Sequence, residues 1–304
     1  MRRREFLGSV LAGGSAQPAA AQLPKRPYKH GIELSVIGFG GIVVVGLEQN
    51  EADRVVGASV DRGVNYFDVA PSYGDGEAEL KLGNALKPYR TNIFLACKTT
   101  ERGAGGARRE LEQSLKRLHT DYFDLYQFHA VSKIEDVEQI TAPGGAAELF
   151  FRARQEGKAR HLGFSAHSTE AALALMDRLE LDSILFPVNF VCWRQGSFGP
   201  QMLAKAKEKG VARLALKAMA HTALPKGERR THEKCWYRPV TDRKLAGQAL
   251  RFALSEDITA AIPPGDGSLY EMALELAAGF RPLSGAERRA LLKTASGLEP
   301  IFRT

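Results

Sequence analysis

Residues 63–86 read GVNYFDVAPSYGDGEAELKLGNAL. The apolar run Val64–Val69 is typical of a buried parallel strand. The stretch Glu77–Leu86 carries apolar side chains at three-to-four spacing, which indicates a helix with one buried face. The polar turn between them contains a proline and two glycines, residue types that favour loops. The segment therefore predicts one strand–loop–helix unit.

The same unit repeats along the chain. Short runs rich in Val, Ile, Leu and Phe predict eight strands: Leu34–Gly40, Val64–Val69, Ile93–Lys98, Phe123–Phe128, His161–Ser165, Ile184–Val188, Ala212–Lys217 and Ile258–Ile262. Amphipathic stretches predict eight helices: Glu51–Asp61, Glu77–Leu86, Ala107–Leu118, Ala146–Gln155, Thr169–Leu179, Pro200–Lys209, Asp242–Leu254 and Ser268–Ala277. This alternation predicts an α/β protein with a single (β/α)8 (TIM) barrel, and Gly285–Thr294 predicts one added helix. No Pro/Ser-rich linker divides the region, so we expect one domain over residues 22–304.

Composition excludes several classes of protein. The 304 residues are 44% apolar and 25% charged, which is ordinary for a soluble globular domain. The net charge is +7, but Lys and Arg are interleaved with Asp and Glu, so a nucleic-acid partner is not expected. The three cysteines form no C-x-x-C pair, and no metal site is expected. The longest apolar run, Ile37–Leu47, is too short to span a membrane.

The first 21 residues have the layout of an export signal. Residues 1–22, MRRREFLGSVLAGGSAQPAAAQ, place basic residues first, then a weakly apolar stretch, then Ala19–Ala21 as a small-residue cleavage site. Residues 3–7, RREFL, resemble the twin-arginine (Tat) pattern. We therefore expect a Tat signal over residues 1–21, the Tat export machinery as a partner, and a periplasmic or exported mature chain. The alternative is a short amphipathic or disordered tail that begins with arginines.

A Rossmann dinucleotide-binding fold is not predicted. Gly38-Phe39-Gly40 follows a strand, but Val43 stands where the motif G-x-G-x-x-G has its third glycine. Any dinucleotide would therefore bind to another fold.

Four polar residues stand at or just after the ends of successive predicted strands. Asp68 and Lys98 end strands two and three, Tyr73 lies in the loop after strand two, and His129 follows strand four. In a barrel the active site lies at the C-terminal ends of the strands, so these side chains are expected around one opening. Burying an ionisable group is costly unless it is paired, which makes an Asp68–Lys98 ion pair the expected arrangement.

These residue types fit the reduction of a carbonyl group. A phenol with a pKa near 10 is a poor acid at neutral pH, and a nearby ammonium lowers that pKa. In this interpretation Tyr73 protonates the oxygen that gains charge during hydride transfer, and His129 donates a hydrogen bond that orients it. The alternative is a purely structural Asp68–Lys98 ion pair, with Tyr73 and His129 as ordinary polar groups.

The same residues resemble the signature of the aldo-keto reductases. Asp68 and Tyr73 stand five positions apart, as in that family, and Lys98 and His129 occupy the remaining positions of its Asp-Tyr-Lys-His tetrad. The resemblance covers roughly residues 28–295. It implies a (β/α)8 barrel that binds NADP(H) or NAD(H) and a small-molecule carbonyl or sugar-like substrate. It also implies that Tyr73 is the general acid, that Lys98 and Asp68 set its pKa, and that His129 orients the carbonyl.

The resemblance further implies which residues contact the dinucleotide: Gly41, Asp68, Ser165, Leu216, Lys217, Gly265, Ser268 and Glu271. The chain departs from the family pattern where the nicotinamide ring would bind. Ala166 stands in place of an asparagine, Leu185 in place of a glutamine, and Leu216 in place of an aromatic residue. The turn Pro263–Glu271 is expected to hold the adenosine phosphates at the N-terminus of the following helix. It contains no arginine for a 2′-phosphate, so the sequence leaves the choice between NAD and NADP open.

Three functions are compatible with the sequence. The first is an NAD(P)(H)-dependent oxidoreductase that reduces an aldehyde or ketone, or oxidises the alcohol. The second is a nucleotide-binding regulatory module, which the departures at the nicotinamide site favour. The third is a redox-neutral enzyme of the epimerase or dehydratase type that retains its cofactor. Export favours the third, because the periplasm supplies little free NADPH.

Overall fold

The computed structural model describes residues 22–304, and the signal predicted at residues 1–21 lies outside the described residues. Eight parallel strands form the central sheet, each paired with the next barrel strand along the chain. They are β1 (Phe39–Gly40), β2 (Tyr66–Asp68), β3 (Phe94–Thr99), β4 (Phe123–Val131), β5 (Ala159–Ala166), β6 (Ser183–Pro187), β7 (Ala212–Leu216) and β8 (Ala260–Ile262). A bridge between Ile37 and Ala261 closes the sheet, with hydrogen bonds from Gly38 N to Ala261 O (3.0 Å) and from Ala261 N to Val36 O (2.9 Å). The predicted (β/α)8 barrel is confirmed.

Helices cover the outside of the barrel. In the part of the chain that the structure describes they are α1 (Gln49–Asp61), α2 (Glu77–Ala85), α3 (Ala104–Arg117), α4 (Ile134–Thr141), α5 (Ala146–Gln155), α6 (Thr169–Arg178), α7 (Phe190–Gln195), α8 (Pro200–Glu208), α9 (Arg243–Leu254), α10 (Gly267–Ala278) and α11 (Gly285–Thr294). The sequence did not predict α4 and α7. Helix α4 buries only Val137 and Ile140, and α7 has 6 residues, so neither gives a clear periodic signal. None of the described helices is both long and apolar enough to cross a membrane.

An antiparallel hairpin covers the N-terminal end of the barrel. Its strands are Lys25–Pro27 and Glu33–Ser35. The predicted single strand Leu34–Gly40 is therefore wrong, because the chain passes from the hairpin into β1 at residues 36–38. Gly38 is required at this passage, since a Cβ there would lie 2.5 Å from the ring of Tyr66. Packing against the barrel interior accounts for this glycine.

Side chains alternate between the inside of the barrel and the layer beneath the helices. On β2, Tyr66 belongs to the inner cluster with Phe94 and Leu125, whereas Phe67 packs in the larger outer cluster. Asp68 follows Tyr66 by two positions, so it shares the inner face of the strand. The alternation thus places polar strand ends inside the C-terminal rim.

Candidate active site

Polar side chains meet inside the rim formed by β2, β3 and β4. Asp68 ends β2, Lys98 lies near the end of β3, and Gln127 is the register partner of Lys98 on β4. Asp68 and Lys98 are 2% and 1% exposed, and their carboxylate and ammonium form an ion pair. Lys98 Nζ also donates to Val69 O at 3.2 Å and to the Tyr73 hydroxyl at 3.2 Å. The buried ion pair is therefore connected directly to the phenol.

The Asp68 carboxylate is engaged on both oxygens. One accepts from Lys98, and the other accepts from Gln127 Nε2 at 3.0 Å and from the Tyr66 hydroxyl at 3.3 Å. Burial lowers the pKa of Lys98, but the Asp68 carboxylate and the Tyr73 hydroxyl together outweigh this effect, and the net pKa lies above the ordinary value. The ammonium consequently stays charged inside the barrel.

Tyr73 reaches the rim from the loop between β2 and α2. Gly74 (φ 61°), Asp75 (φ 51°) and Gly76 (φ 94°) all have left-handed backbones, so the chain turns sharply into the helix. Burial raises the pKa of Tyr73, the Lys98 ammonium acts in the opposite direction, and the net shift is upward. The lowering effect expected from the sequence is therefore present but smaller than the effect of burial. The phenol is protonated at neutral pH.

His129 lies near the end of β4 against the Tyr73 ring. The ring centroids are 5.7 Å apart and the ring planes are inclined by 80°. Burial, followed by the charge of Lys98, holds the pKa of His129 well below its ordinary value, so the imidazole is neutral. Its Nδ1 is buried without a hydrogen-bond partner among residues 22–304, while Arg102 donates to its backbone oxygen at 2.9 Å. The structure thus brings all four predicted catalytic residues together.

Sequence reasoning missed Gln127. Its side chain is fully buried, donates to Asp68, and leaves Oε1 without a partner in the described part of the chain. Its position two residues before His129 could have indicated a place in the site, because alternate residues of a strand lie on the same face. Gln127 thus holds the carboxylate through the oxygen that Lys98 does not contact.

A cavity of about 80 Å³ lies at the rim beside the ion pair. It is lined by Gly40, Ile42, Asp68, Tyr73, Leu185, Leu216, Lys217, Lys234, Tyr237, Ile262, Pro263, Pro264 and Gly265. Four of the predicted dinucleotide contacts, Asp68, Leu216, Lys217 and Gly265, are in this lining. The cavity thus joins the phenol of Tyr73 to the turn after β8.

The other four predicted dinucleotide contacts lie outside this lining: Gly41, Ser165, Ser268 and Glu271. Ser165 Oγ accepts a hydrogen bond from Ala130 N at 2.8 Å. A Cβ on Gly41 would lie 2.8 Å from Val69, so packing requires that glycine. Glu271 is ion-paired with Arg62. In this structure each of these residues contacts a neighbouring part of the protein.

The start of α10 already contains a carboxylate. Asp266 is its N-cap residue and accepts from Ser268 N at 3.0 Å and from Leu269 N at 3.2 Å. His232 Nδ1 lies 3.1 Å from the other carboxylate oxygen. The adenosine phosphates were expected at this helix N-terminus. In the structure the carboxylate of Asp266 caps it instead.

The long predicted connection Ala218–Val240 forms a hairpin with a strap between its strands. The strands Ala220–Ala223 and Tyr237–Pro239 pair antiparallel. Residues 224–236 between them are called the strap here. Lys234 of the strap lines the cavity and donates from Nζ to Val43 O at 2.9 Å, and His232 of the strap meets α10. The strap therefore connects the two sides of the cavity.

A group of possible metal ligands lies at the N-terminal end of the barrel, away from the tetrad. Donor atoms of His30, His161 and Asp182 lie within 4.8 Å of one another. The Asp182 carboxylate already accepts from Leu162 N at 2.9 Å and is ion-paired with Lys29 at 3.4 Å. The group is therefore an ion-pair cluster beneath the barrel, remote from the tetrad.

Comparison with known sequences gives a consistent match. The model of the aldo/keto reductase family matches residues 36–278. Aldo-keto reductase YhdN of Bacillus subtilis (strain 168) is 36% identical over 176 residues, which cover 52% of this chain and 51% of that relative. L-galactose dehydrogenase of Arabidopsis thaliana is 23% identical over 300 residues, which cover 89% of this chain and 92% of that protein. The match thus spans about half the length of the first relative and most of the second.

Solved structures share the architecture. Aldo-keto reductase AKR11C1 from Bacillus halodurans, in its holo form, has a TM-score of 0.71 and 25% identity, with 92% of this chain and 99% of that chain covered. An aldo-keto reductase from Klebsiella pneumoniae in complex with NADPH has a TM-score of 0.66 and 21% identity, with 90% of this chain and 94% of that chain covered. The family match contains all four tetrad positions, and the chain belongs to the aldo/keto reductase family.

Proposed function

We propose that this protein is an NAD(P)(H)-dependent oxidoreductase that reduces the aldehyde or ketone group of a small molecule, or oxidises the corresponding alcohol. The observation that carries the proposal is the Tyr73 hydroxyl at 3.2 Å from Lys98 Nζ, with Lys98 in turn paired with buried Asp68. A neutral His129 beside the phenol completes the group. Such a group protonates and stabilises an oxygen that gains negative charge.

The residues around the cavity fit a nicotinamide dinucleotide. The cavity extends from Tyr73 to the turn Pro263–Gly265, which precedes a helix. Two buried atoms at the tetrad, His129 Nδ1 and Gln127 Oε1, have no hydrogen-bond partner among the described residues. The related protein from Klebsiella pneumoniae was solved with NADPH, which supports the same class of cofactor here.

The strap crosses the cavity in which we expect a dinucleotide to bind. Two polar contacts hold it there, one from Lys234 to Val43 O and one between His232 and Asp266. Cofactor entry past the strap would exchange these contacts for contacts with the ligand.

Each tetrad residue has a separate role in the reaction. NAD(P)H, when bound, would supply a hydride for the carbonyl carbon, and Tyr73 would give its proton to the carbonyl oxygen. Lys98 holds a positive charge 3.2 Å from the phenol oxygen and stabilises that oxygen once the proton has left. Asp68 keeps Lys98 charged and in place. Neutral His129 orients the carbonyl oxygen through a hydrogen bond.

The pKa shifts indicate how the rate should depend on pH. The raised pKa of Tyr73 keeps the phenol protonated in the neutral range, and the lowered pKa of His129 keeps the imidazole neutral there. Reduction uses the protonated phenol, so its rate is expected to fall only at alkaline pH. Alcohol oxidation uses the phenolate and is expected to rise over the same range.

Two measurements on the purified protein test this proposal. Mass spectrometry identifies any nucleotide that co-purifies, and an absorbance assay follows dinucleotide oxidation with a panel of aldehydes, ketones and aldose sugars. Carbonyl-dependent oxidation of NADH or NADPH is the expected result. A bound dinucleotide that converts sugars without net oxidation would replace the reductase by a redox-neutral enzyme. Binding without any conversion would indicate a regulatory module.

We also propose that residues 1–21 direct export by the Tat pathway, so that the mature chain begins at Gln22 and acts in the periplasm or outside the cell. The support is the segment RREFL at residues 3–7 followed by Ala19–Ala21. Replacing Arg3 and Arg4 by lysine keeps the charge and should leave the precursor inside the cell. A mature N-terminus at Gln22 in that variant would contradict the Tat route.

A further inference from the structure

Lys217, the residue that follows β7, carries an ammonium group without a counter-ion. It lines the cavity together with Tyr73. Its Nζ lies 4.8 Å from the ring centroid of Tyr237 and 5.3 Å from that of Trp236. Within residues 22–304 it has neither an acidic partner nor a hydrogen-bond acceptor. Burial lowers the pKa of Lys217 to about 8, so the group is still mostly charged at neutral pH.

The backbone of Lys217 is fixed in an unusual conformation. Its φ of 63° is left-handed, which costs energy in a residue with a Cβ. Buried Asn189 holds this conformation by donating from Nδ2 to Lys217 O at 3.0 Å and to Ala220 O at 2.6 Å. Asn189 Oδ1 accepts from Val191 N at 2.9 Å and from Cys192 N at 3.0 Å, so the amide itself is fixed by the start of α7. The protein thus retains a lysine at a position where glycine would be less strained.

The groups around Lys217 leave one uncompensated positive charge next to the tetrad. Burial lowers the pKa of His129 and His167, and the charge of Lys217 lowers both further, with His167 at about 4. Both imidazoles are therefore neutral at physiological pH. The charge of Lys98 is balanced by Asp68. An anionic ligand group would consequently meet one unpaired cation at this place.

The position of Lys217 favours a substrate group over the dinucleotide phosphates. The Trp236 ring that faces Lys217 packs edge-on against Phe302, with centroids 5.7 Å apart, and Phe302 stacks on His167 at 4.9 Å. His167 and Lys217 both lie close enough to His129 to lower its pKa, which places this group of side chains beside the tetrad. None of them belongs to the turn after β8, where the adenosine phosphates are expected.

We propose that Lys217 binds a carboxylate of the substrate, so that the preferred substrates are carbonyl compounds with an acidic group, such as oxo acids and aldehyde acids. An ammonium donates a charge-assisted hydrogen bond to a carboxylate, and the neutral imidazoles of His129 and His167 do not compete with it for the charge. This inference rests on the proposed carbonyl reduction, because it assigns the substrate class for that reaction.

The test compares two unreactive ligands of similar shape, benzoate and benzamide. Titration calorimetry on the dinucleotide-saturated protein gives the dissociation constant of each ligand for the wild type and for the K217M and K217Q variants. We expect the wild type to bind benzoate about 10- to 100-fold more tightly than benzamide, as for a hydrogen bond to a charged group. Both variants should reduce this ratio to about one.

Lys234 offers a matched control. It lines the same cavity, but it lies within range of the carboxylates of Asp266 and Glu77, whereas Lys217 has no carboxylate near it among residues 22–304. The K234M variant should therefore keep the benzoate-to-benzamide ratio of the wild type. Dinucleotide affinity is measured for every variant in the same titrations.

The outcomes separate the possible ligands of Lys217. An unchanged ratio in K217M and K217Q would overturn the proposal, and a loss of dinucleotide affinity with an unchanged ratio would assign Lys217 to the pyrophosphate. A wild type that discriminates benzoate through Lys217 but reduces no carbonyl compound would contradict the proposed function and keep the carboxylate site. A wild type that reduces aldehydes but has no preference for benzoate would overturn the carboxylate site and support the proposed function.

Discussion

Replacing Lys98 by methionine removes the ammonium that faces Asp68. Both groups are almost completely buried, so the carboxylate would remain in the barrel with Gln127 Nε2 (3.0 Å) and the Tyr66 hydroxyl (3.3 Å) as its side-chain donors. Removing one partner of a buried ion pair lowers the free energy of unfolding by about 3–5 kcal/mol. The corresponding fall in Tm is roughly 6–20 °C for a domain of this size, and calorimetry measures it directly.

The double variant D68N/K98M separates stability from catalysis. Asparagine carries no uncompensated charge, so we expect most of the lost stability to return. Activity should not return, because the ammonium beside the Tyr73 hydroxyl is still absent. We expect kcat to fall by about 10²–10⁴-fold in both variants. A double variant that recovers stability and activity together would refute the catalytic role of Lys98.

The pH dependence of the residual activity gives a second measure of the same role. The Lys98 ammonium lowers the pKa of Tyr73 against the larger effect of burial, so its loss should raise that pKa further. Since reduction uses the protonated phenol, the alkaline fall in rate should move to higher pH in K98M. An unshifted alkaline limb would place the proton donor on another group.

The other predictions concern the dinucleotide. The carboxylate of Asp266 caps α10 and would repel the added charge of a 2′-phosphate, so ADP-ribose should bind about 2- to 30-fold more tightly than its 2′-phosphate form. The D266S variant should narrow this difference in affinity in parallel titrations. Equal affinities of the wild type for the two ligands would contradict repulsion by Asp266. ADP-ribose should also bind within about tenfold of NADH, because Leu185 and Leu216 offer the nicotinamide no side-chain hydrogen bonds. K234M lacks the bond to Val43 O that holds the strap across the cavity, so it should bind the dinucleotide about 2- to 12-fold faster in stopped-flow fluorescence, whereas an unchanged association rate would mean that the strap does not restrain entry.

The barrel could be predicted because its signals are local. Buried parallel strands are apolar runs and surface helices are periodic, so both appear within a short window of sequence. The tetrad could be predicted because Asp68 and Lys98 interrupt or end such runs at the same rim. The first strand was the exception: the passage from the hairpin into β1 depends on the contact of Gly38 with Tyr66, which no local pattern shows.

The finer features of the site depend on contacts between distant residues. Gln127 is a single polar residue in a strand, and only the pairing of β3 with β4 brings it opposite Lys98. Asp266 is a common N-cap residue, and its effect on the expected phosphate site follows from its place at the start of α10. Lys217 gives no signal of a left-handed backbone in the sequence, because Asn189 holds that conformation from the preceding connection, between β6 and α7.

In the proposed mechanism Tyr73 donates the proton during carbonyl reduction, and single-turnover kinetics of the Y73F variant test this role. Protein loaded with NADH or NADPH is mixed with a reactive aldehyde, and dinucleotide oxidation is followed in the first turnover. With Tyr73 as the proton donor, we expect Y73F to react about 10²–10⁴-fold more slowly than the wild type, since the phenol acts in the transition state. We also expect a dinucleotide dissociation constant within about threefold of the wild type, because the variant lacks only the hydroxyl. A Y73F variant that oxidises the bound dinucleotide as fast as the wild type would contradict the assignment of Tyr73 as the proton donor.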